Sequence, residues 1–143
     1  MTTIPDDVLR YYSKGQEQNR LLSRHALERE RTQELLTRYL PPAPAMVLDV
    51  GGAAGVYALW LAKLGYAVHV IDPVPLHIAQ AKAASSDQPE HPLASAALGD
   101  ACRLDWPDAS ADAVLMLGPL YHLTERADRL QALREGYRVL KPG

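Results

Sequence analysis

Apolar residues in this chain gather in short dense runs that stop at glycine, proline or charge, and the lengths of the runs predict alternating strands and helices. Met46-Val47-Leu48-Asp49-Val50 is too short for a helix, stops at glycines, and reads as a strand buried on both faces. Val56 to Leu64 follows as a helix closed by Gly65. Ala67-Val68-His69-Val70-Ile71 is a second strand, ended by Asp72-Pro73, and the Ala-rich stretch from Leu76 to Ser85 a second helix. Pro89 to Pro92 marks a loop. Leu93–Leu98 is expected as a third strand and Ala113–Leu117 as a fourth, bounded by Gly118-Pro119. The last helix is expected from about Glu125 to Leu140, with Thr124 as N-cap and an apolar face of Ala127, Leu130, Leu133 and Tyr137.

Upstream of these units the pattern is different. Asp6–Tyr12 suggests a short helix, and Gln16 to Leu40 mixes intermittent leucines with Arg, Glu and Gln as one or two longer helices. Pro41-Pro42-Ala43-Pro44 cannot continue a helix and makes a stiff connector. The chain therefore divides at about residue 44: a helical region and connector over 1–44, and an α/β unit over 45–143. Strand and helix alternate in that unit, which implies a Rossmann-like, doubly wound, mostly parallel sheet with right-handed crossovers.

The bulk numbers narrow the function classes. A length of 143 residues suits one core, and the absence of Phe leaves Leu, Val, Ala and Tyr to fill it. A formal net charge of -2 provides no basic field for nucleic acid or an anionic membrane, so the expected partner is a small molecule. Cys102 is the one cysteine, so no intrachain disulfide and no cysteine-based zinc cluster can form, and no metal is expected. Pro5, Asp6 and Asp7 interrupt the start where a signal sequence would be apolar, and no run approaches the ~20 apolar residues that cross a bilayer. The chain reads as cytoplasmic.

Candidate chemistry begins at Asp49-Val50-Gly51-Gly52-Ala53-Ala54-Gly55, between a strand and a helix. Glycines there permit a sharp turn and a close approach of a ligand to the backbone, and the helix behind presents its N–H groups. A dinucleotide fingerprint, Gly-x-Gly-x-x-Gly, fails in both registers: Ala53 and Val56 stand where glycines are needed from Gly51, and Ala54 and Tyr57 from Gly52. Asp72 lies 72 − 49 = 23 residues after Asp49, where an acidic side chain in such a unit can accept ribose hydroxyls. Each feature also has a plainer reading, a tight turn that binds nothing and an Asp-Pro turn former. After the fourth strand, Tyr121 and His122 are equipped for acid–base work or for gripping a substrate, or else for packing and loop hydrogen bonds.

Taken together, the glycine loop, Asp72, the Gly99-Asp100-Ala101 turn and the final Leu140-Lys141-Pro142-Gly143 resemble, in order and spacing, class I S-adenosylmethionine-dependent methyltransferases of the small-molecule, methyltransferase type 11 kind. The resemblance covers about Met46 to the end. It departs at Ala53, which replaces the middle glycine of the family's first motif. It implies S-adenosylmethionine as cofactor, held by Asp49, Gly51, Gly52, Gly55, Asp72, Asp100, Ala101 and Leu117. In this reading Asp72 takes both ribose hydroxyls and Asp100 with Ala101 the adenine, while Cys102 packs at the adenine rim and Asp112 is structural. His122 is the candidate base and Tyr121 the candidate substrate contact. Residues 1–44, including Tyr11, Tyr12 and Arg20, resemble the family's helical lid. Gly118-Pro119-Leu120-Tyr121 lacks the Asn/Asp-Pro-Pro-Tyr of members that methylate amide-like nitrogen, so such nitrogen is not the expected acceptor; a small molecule with a hydroxyl, thiol, amine or activated carbon is. The family sheet continues beyond the four strands found, so a fold truncated after the fourth is expected. The rivals are a nicotinamide-dependent oxidoreductase and a module that binds S-adenosylmethionine without transferring a methyl group.

Overall fold

The computed structural model describes residues 5–12 and 25–143. Its strands are β1 (Met46–Val50), β2 (Ala67–Asp72), β3 (Ser95–Leu98) and β4 (Ala113–Leu115). Its helices are α1 (Asp6–Tyr12), α2 (Ala26–Tyr39), α3 (Val56–Lys63), α4 (Pro75–Ser86), α5 (Pro119–His122) and α6 (Arg126–Val139). The strands form one sheet in the order β3-β2-β1-β4, with every pairing parallel.

The near-continuous apolar runs of β1 and β2 reflect burial on both sides of the sheet. Val47, Val68 and Val70 face Leu36 of α2, Ala58 and Leu61 of α3, and Ile78 and Ala81 of α4. Leu48, Val50 and Ile71 face the other way, against Leu104, Ala111 and Val139 of α6. This is the doubly wound α/β arrangement. After β1 the chain builds outward through β2 and β3, then returns to place β4 on the opposite side of β1. Such a reversal opens a crevice beyond the carboxyl ends of the strands.

The helix ends follow from local sequence. α3 stops because Gly65, at φ 97°, adopts the left-handed conformation that L side chains disfavour. Its N–H then donates to Ala62 and that of Tyr66 to Leu61, satisfying two of the last carbonyls. α4 starts at Pro75, whose fixed φ suits a first turn.

Several sequence expectations need correction. β4 is three residues long, because residues 116–118 leave the ladder to begin α5 at Pro119. β3 starts at Ser95 rather than Leu93, whose N–H is taken by Ser85 Oγ at 2.8 Å. The N-cap of α6 is Glu125, not Thr124, and it caps without a side-chain hydrogen bond. The carbonyl of Thr124 instead accepts from Arg129 at 2.7 Å.

The expected apolar face of α6 is also the wrong face. Leu133 and Tyr137 are 49% and 83% exposed, whereas Ala132, Gly136 and Val139 are buried. A Cβ on Gly136 would stand 2.9 Å from Met116 Cε, so the helix seats its smallest residues against the sheet. Close approach, rather than bulk hydrophobicity, sets its rotation. Beyond α6, Leu140 forms a parallel bridge with Ala111, and Lys141 N–H donates to the Ala111 carbonyl at 2.9 Å. Asp112 N–H, pointing the other way, reaches Met46 of β1. The chain thus returns to the side of β4 opposite β1. Among the described residues, no helix is long and apolar enough to cross a membrane.

Candidate functional site

Four strand ends converge on one cleft. Val50 and Gly51 line it at the end of β1, Ile71, Asp72 and Pro73 at the end of β2, Gly99, Asp100 and Ala101 after β3, and Gly118 and Pro119 after β4. Val74 and His77 come from the start of α4, His122 and Leu123 from the end of α5, and Val8 of α1 adds an apolar side. No lysine or arginine is among the described residues lining it.

Asp72 ties the glycine loop to α4. Its side chain is buried, and Oδ2 accepts the Ala53 N–H at 2.9 Å. Oδ1 accepts the Val74 N–H at 2.9 Å and stands 2.9 Å from His77 Nδ1, itself buried. A carboxylate has no proton to donate, so the ring nitrogen is the donor in the His77 contact. An ionised carboxylate offers about four acceptor positions. Among the described residues three are taken, and the one left lies on Oδ2.

Asp49 sits behind the loop and outside the cleft lining. Gly52 lies over it, and a Cβ there would fall 2.7 Å from Asp49 Oδ2. That oxygen is buried without a hydrogen-bond partner among the described residues. Burial, reinforced by the negative charge of Asp72, pushes the Asp49 carboxyl up to about 7. Asp49 is therefore poised between neutral and charged forms at neutral pH.

The loop glycines serve the fold in distinct ways. At Gly51, φ 72°, an added Cβ would meet Pro119 Cγ at 2.6 Å, so the missing side chain makes room for α5 at the cleft wall rather than for a ligand alone. Gly55, the N-cap of α3, lies behind the lining. Ala53, in place of the family's middle glycine, adopts φ 51° and lines the cleft.

Asp100 and Ala101 both line the cleft, and Asp100 Oδ1 accepts the Cys102 N–H at 2.8 Å, which orients the carboxylate. Cys102 is buried beside Leu123 and Ala132, away from the lining. Leu117 and Tyr121 also stand outside the lining, 44% and 84% exposed, because residues 116–118 bend out of the strand and α5 turns Tyr121 to solvent. His122 lines the cleft. Asp112 has a structural position: the Met46 N–H and Lys141 Nζ bind its carboxylate at 2.8 and 3.0 Å, and these partners, the backbone amide first, hold it below the usual carboxylate range. Arg20 lies outside the described residues, as do the side chains of Tyr11 and Tyr12.

Sequence reasoning did not single out His77. Its one available signal was a lone polar ring inside an apolar, Ala-rich helix, five residues after Asp72. Pro119 was read only as a boundary, because its packing against Gly51 joins elements far apart in the chain.

Comparison with known proteins agrees with this geometry. A family model described as a methyltransferase domain matches residues 48–143. Among solved structures, a SAM-dependent methyltransferase from Methanosarcina mazei is 30% identical, with TM-score 0.69, over 76% of this chain and 53% of its own. The PH0226 protein of Pyrococcus horikoshii is 27% identical, with TM-score 0.76, over 85% of this chain and 56% of its own. The [4+2]-cyclase SpnF is 26% identical, with TM-score 0.72, over 80% of this chain and 42% of its own. The chain spans about half the length of these structures. Among curated proteins none matches. The fold, the cleft at its reversal point and the family match over two thirds of the sequence together place this chain in the methyltransferase domain family.

Proposed function

We propose that the protein binds S-adenosylmethionine in the cleft and takes part in methyl transfer to a small-molecule acceptor. The observation that carries this reading is the charge of the cleft: Asp72 and Asp100 line it, Asp49 lies behind it, and no described lysine or arginine faces it. A dinucleotide would bring a pyrophosphate into that acidic setting, whereas S-adenosylmethionine is net positive: its sulfonium and ammonium outweigh its carboxylate, and it adds hydroxyls and an adenine amino group. The residues fit the latter. When bound, the cofactor supplies a methyl group already activated on positive sulfur, so positioning is the main demand on the protein.

In this reading Asp72 receives a ribose hydroxyl at Oδ2, and Asp100 with the Ala101 amide receives the adenine edge. Gly51 and Ala53 give backbone access, while Gly52 and Gly55 shape the turn and Asp49 tunes its charge. Gly118 and Pro119 take the lining position expected of Leu117. His122 is the proposed base, since it lines the cleft at the end of α5. Tyr121, exposed nearby, is the proposed contact for an incoming acceptor. Of the expected helical lid, Val8 of α1 is proposed to cover the cleft, while Leu36 of α2 joins the core of residues 45–143. A chain with a single cysteine, which cannot close an intrachain disulfide, suits the cytoplasm, the proposed location.

Separate calorimetric titrations with S-adenosylhomocysteine and NADH test the reading. S-adenosylhomocysteine should bind and NADH should not. Asp72→Ala should weaken binding by roughly ten- to a hundredfold, the effect of losing a hydrogen bond to a charged group worth about 1.5–3 kcal/mol. NADH binding without S-adenosylhomocysteine binding overturns the assignment.

A further inference from the structure

We infer that His77 is a positioning and specificity residue that makes Asp72 a one-hydroxyl acceptor. The inference rests on the cofactor reading above and deepens it. Asp72 is the end of β2, and His77 stands on the first turns of α4, five residues on. Both are buried at the cleft wall, so their contact is shielded from water. Nδ1 of His77 and the Val74 N–H occupy both acceptor positions of Asp72 Oδ1, each at 2.9 Å. The Ala53 N–H occupies one position of Oδ2. These three donors come from two elements and fix the carboxylate against rotation, with its remaining acceptor position on Oδ2.

A carboxylate free of His77 could turn and offer one oxygen to each of two adjacent hydroxyls. Held by His77, it meets only one. His77 thereby decides which of the two ribose hydroxyls is recognised through Asp72, without itself needing to touch either. An apolar side chain of similar length at position 77 would vacate one position on Oδ1 and leave the rest of the wall in place.

The test uses the 143-residue chain and three probes: S-adenosylhomocysteine and its 2′-deoxy and 3′-deoxy analogues, titrated calorimetrically. In the unaltered protein one analogue should lose about tenfold or more in affinity relative to the other, the effect of one charge-assisted hydrogen bond. His77→Met should bring the two analogues to within about threefold of each other, because both hydroxyls then find an acceptor. His77→Asn, whose amide can donate to Oδ1 as Nδ1 does, should restore the unequal pair. A purely structural role for His77 would weaken all three probes together and leave their ratios unchanged.

Ratios that are the same in the unaltered protein and both variants overturn the inference while leaving the cofactor reading intact. Equal affinities for the two analogues in the unaltered protein overturn it even if neither variant folds. Failure of S-adenosylhomocysteine itself to bind the unaltered protein overturns the cofactor reading, and the inference with it. A ring nitrogen shift showing His77 Nδ1 unprotonated in the free protein would also overturn it.

Discussion

Replacing Asp49 by Asn should change how stability depends on pH, and the structure sets the sign. Asp49 is buried, its Oδ2 lacks a hydrogen-bond partner among the described residues, and Asp72 adds a like charge nearby. Its carboxyl therefore titrates at about 7 in the folded protein rather than at the ordinary 3.8. Between those values the unfolded chain releases the proton and the folded chain keeps it, so raising the pH favours unfolding. The stabilising contribution is complete below about pH 4 and gone above about pH 7. At about 1.4 kcal/mol per pH unit, the full window amounts to about 4 kcal/mol, and the part between pH 5 and 7 to about 2–3 kcal/mol. Asn is neutral throughout and nearly the same shape. Urea unfolding followed by tryptophan fluorescence at pH 5, 6, 7 and 8 reads the effect. The stability of Asp49→Asn minus that of the unaltered protein should rise by about 2–3 kcal/mol from pH 5 to 7, then level off. A difference that stays flat over this range would show that Asp49 titrates normally, and the account of its environment would be wrong.

Gly51→Val should abolish S-adenosylhomocysteine binding in calorimetry, because its Cβ would stand 2.6 Å from Pro119 Cγ and force α5 from the cleft wall; normal affinity would show that the wall yields. Ala53→Gly should keep binding and raise thermal stability by up to about 1 kcal/mol, since it removes a left-handed alanine costing about 1–2 kcal/mol and adds some chain entropy. A clearly lower unfolding temperature would contradict it. In hydrogen exchange, the Ala113 and Leu115 amides, which by alternation point away from β1, should exchange faster than that of Val114. Equal protection would show that the outer edge of β4 is covered.

The family and the order of its elements were legible because they rest on local patterns. Apolar runs of strand length, glycine at strand-to-helix turns and acidic residues at strand ends recur within short windows, and each has one dominant physical cause. The motif positions Gly51, Asp72, Asp100 and Ala101 reach one cleft because parallel strands deliver their carboxyl ends to one side of a sheet. Leu117 and Tyr121 fail to reach it, since a bend of three residues after β4 outweighs their nearness in sequence.

Tertiary structure alone decided the rest. The rotation of α6 depends on how closely Ala132 and Gly136 can approach the sheet, which a hydrophobicity pattern that weights large side chains cannot register. The partners of the Asp72 carboxylate come from Ala53, Val74 and His77, so its remaining acceptor position follows from a loop and a helix meeting in space. The titration of Asp49 follows from what surrounds it: the same residue in the same motif would ionise normally if water reached it. Sequence determined which groups stand at the strand ends. Burial and packing determined how many hydrogen bonds and which charge each of them can still offer.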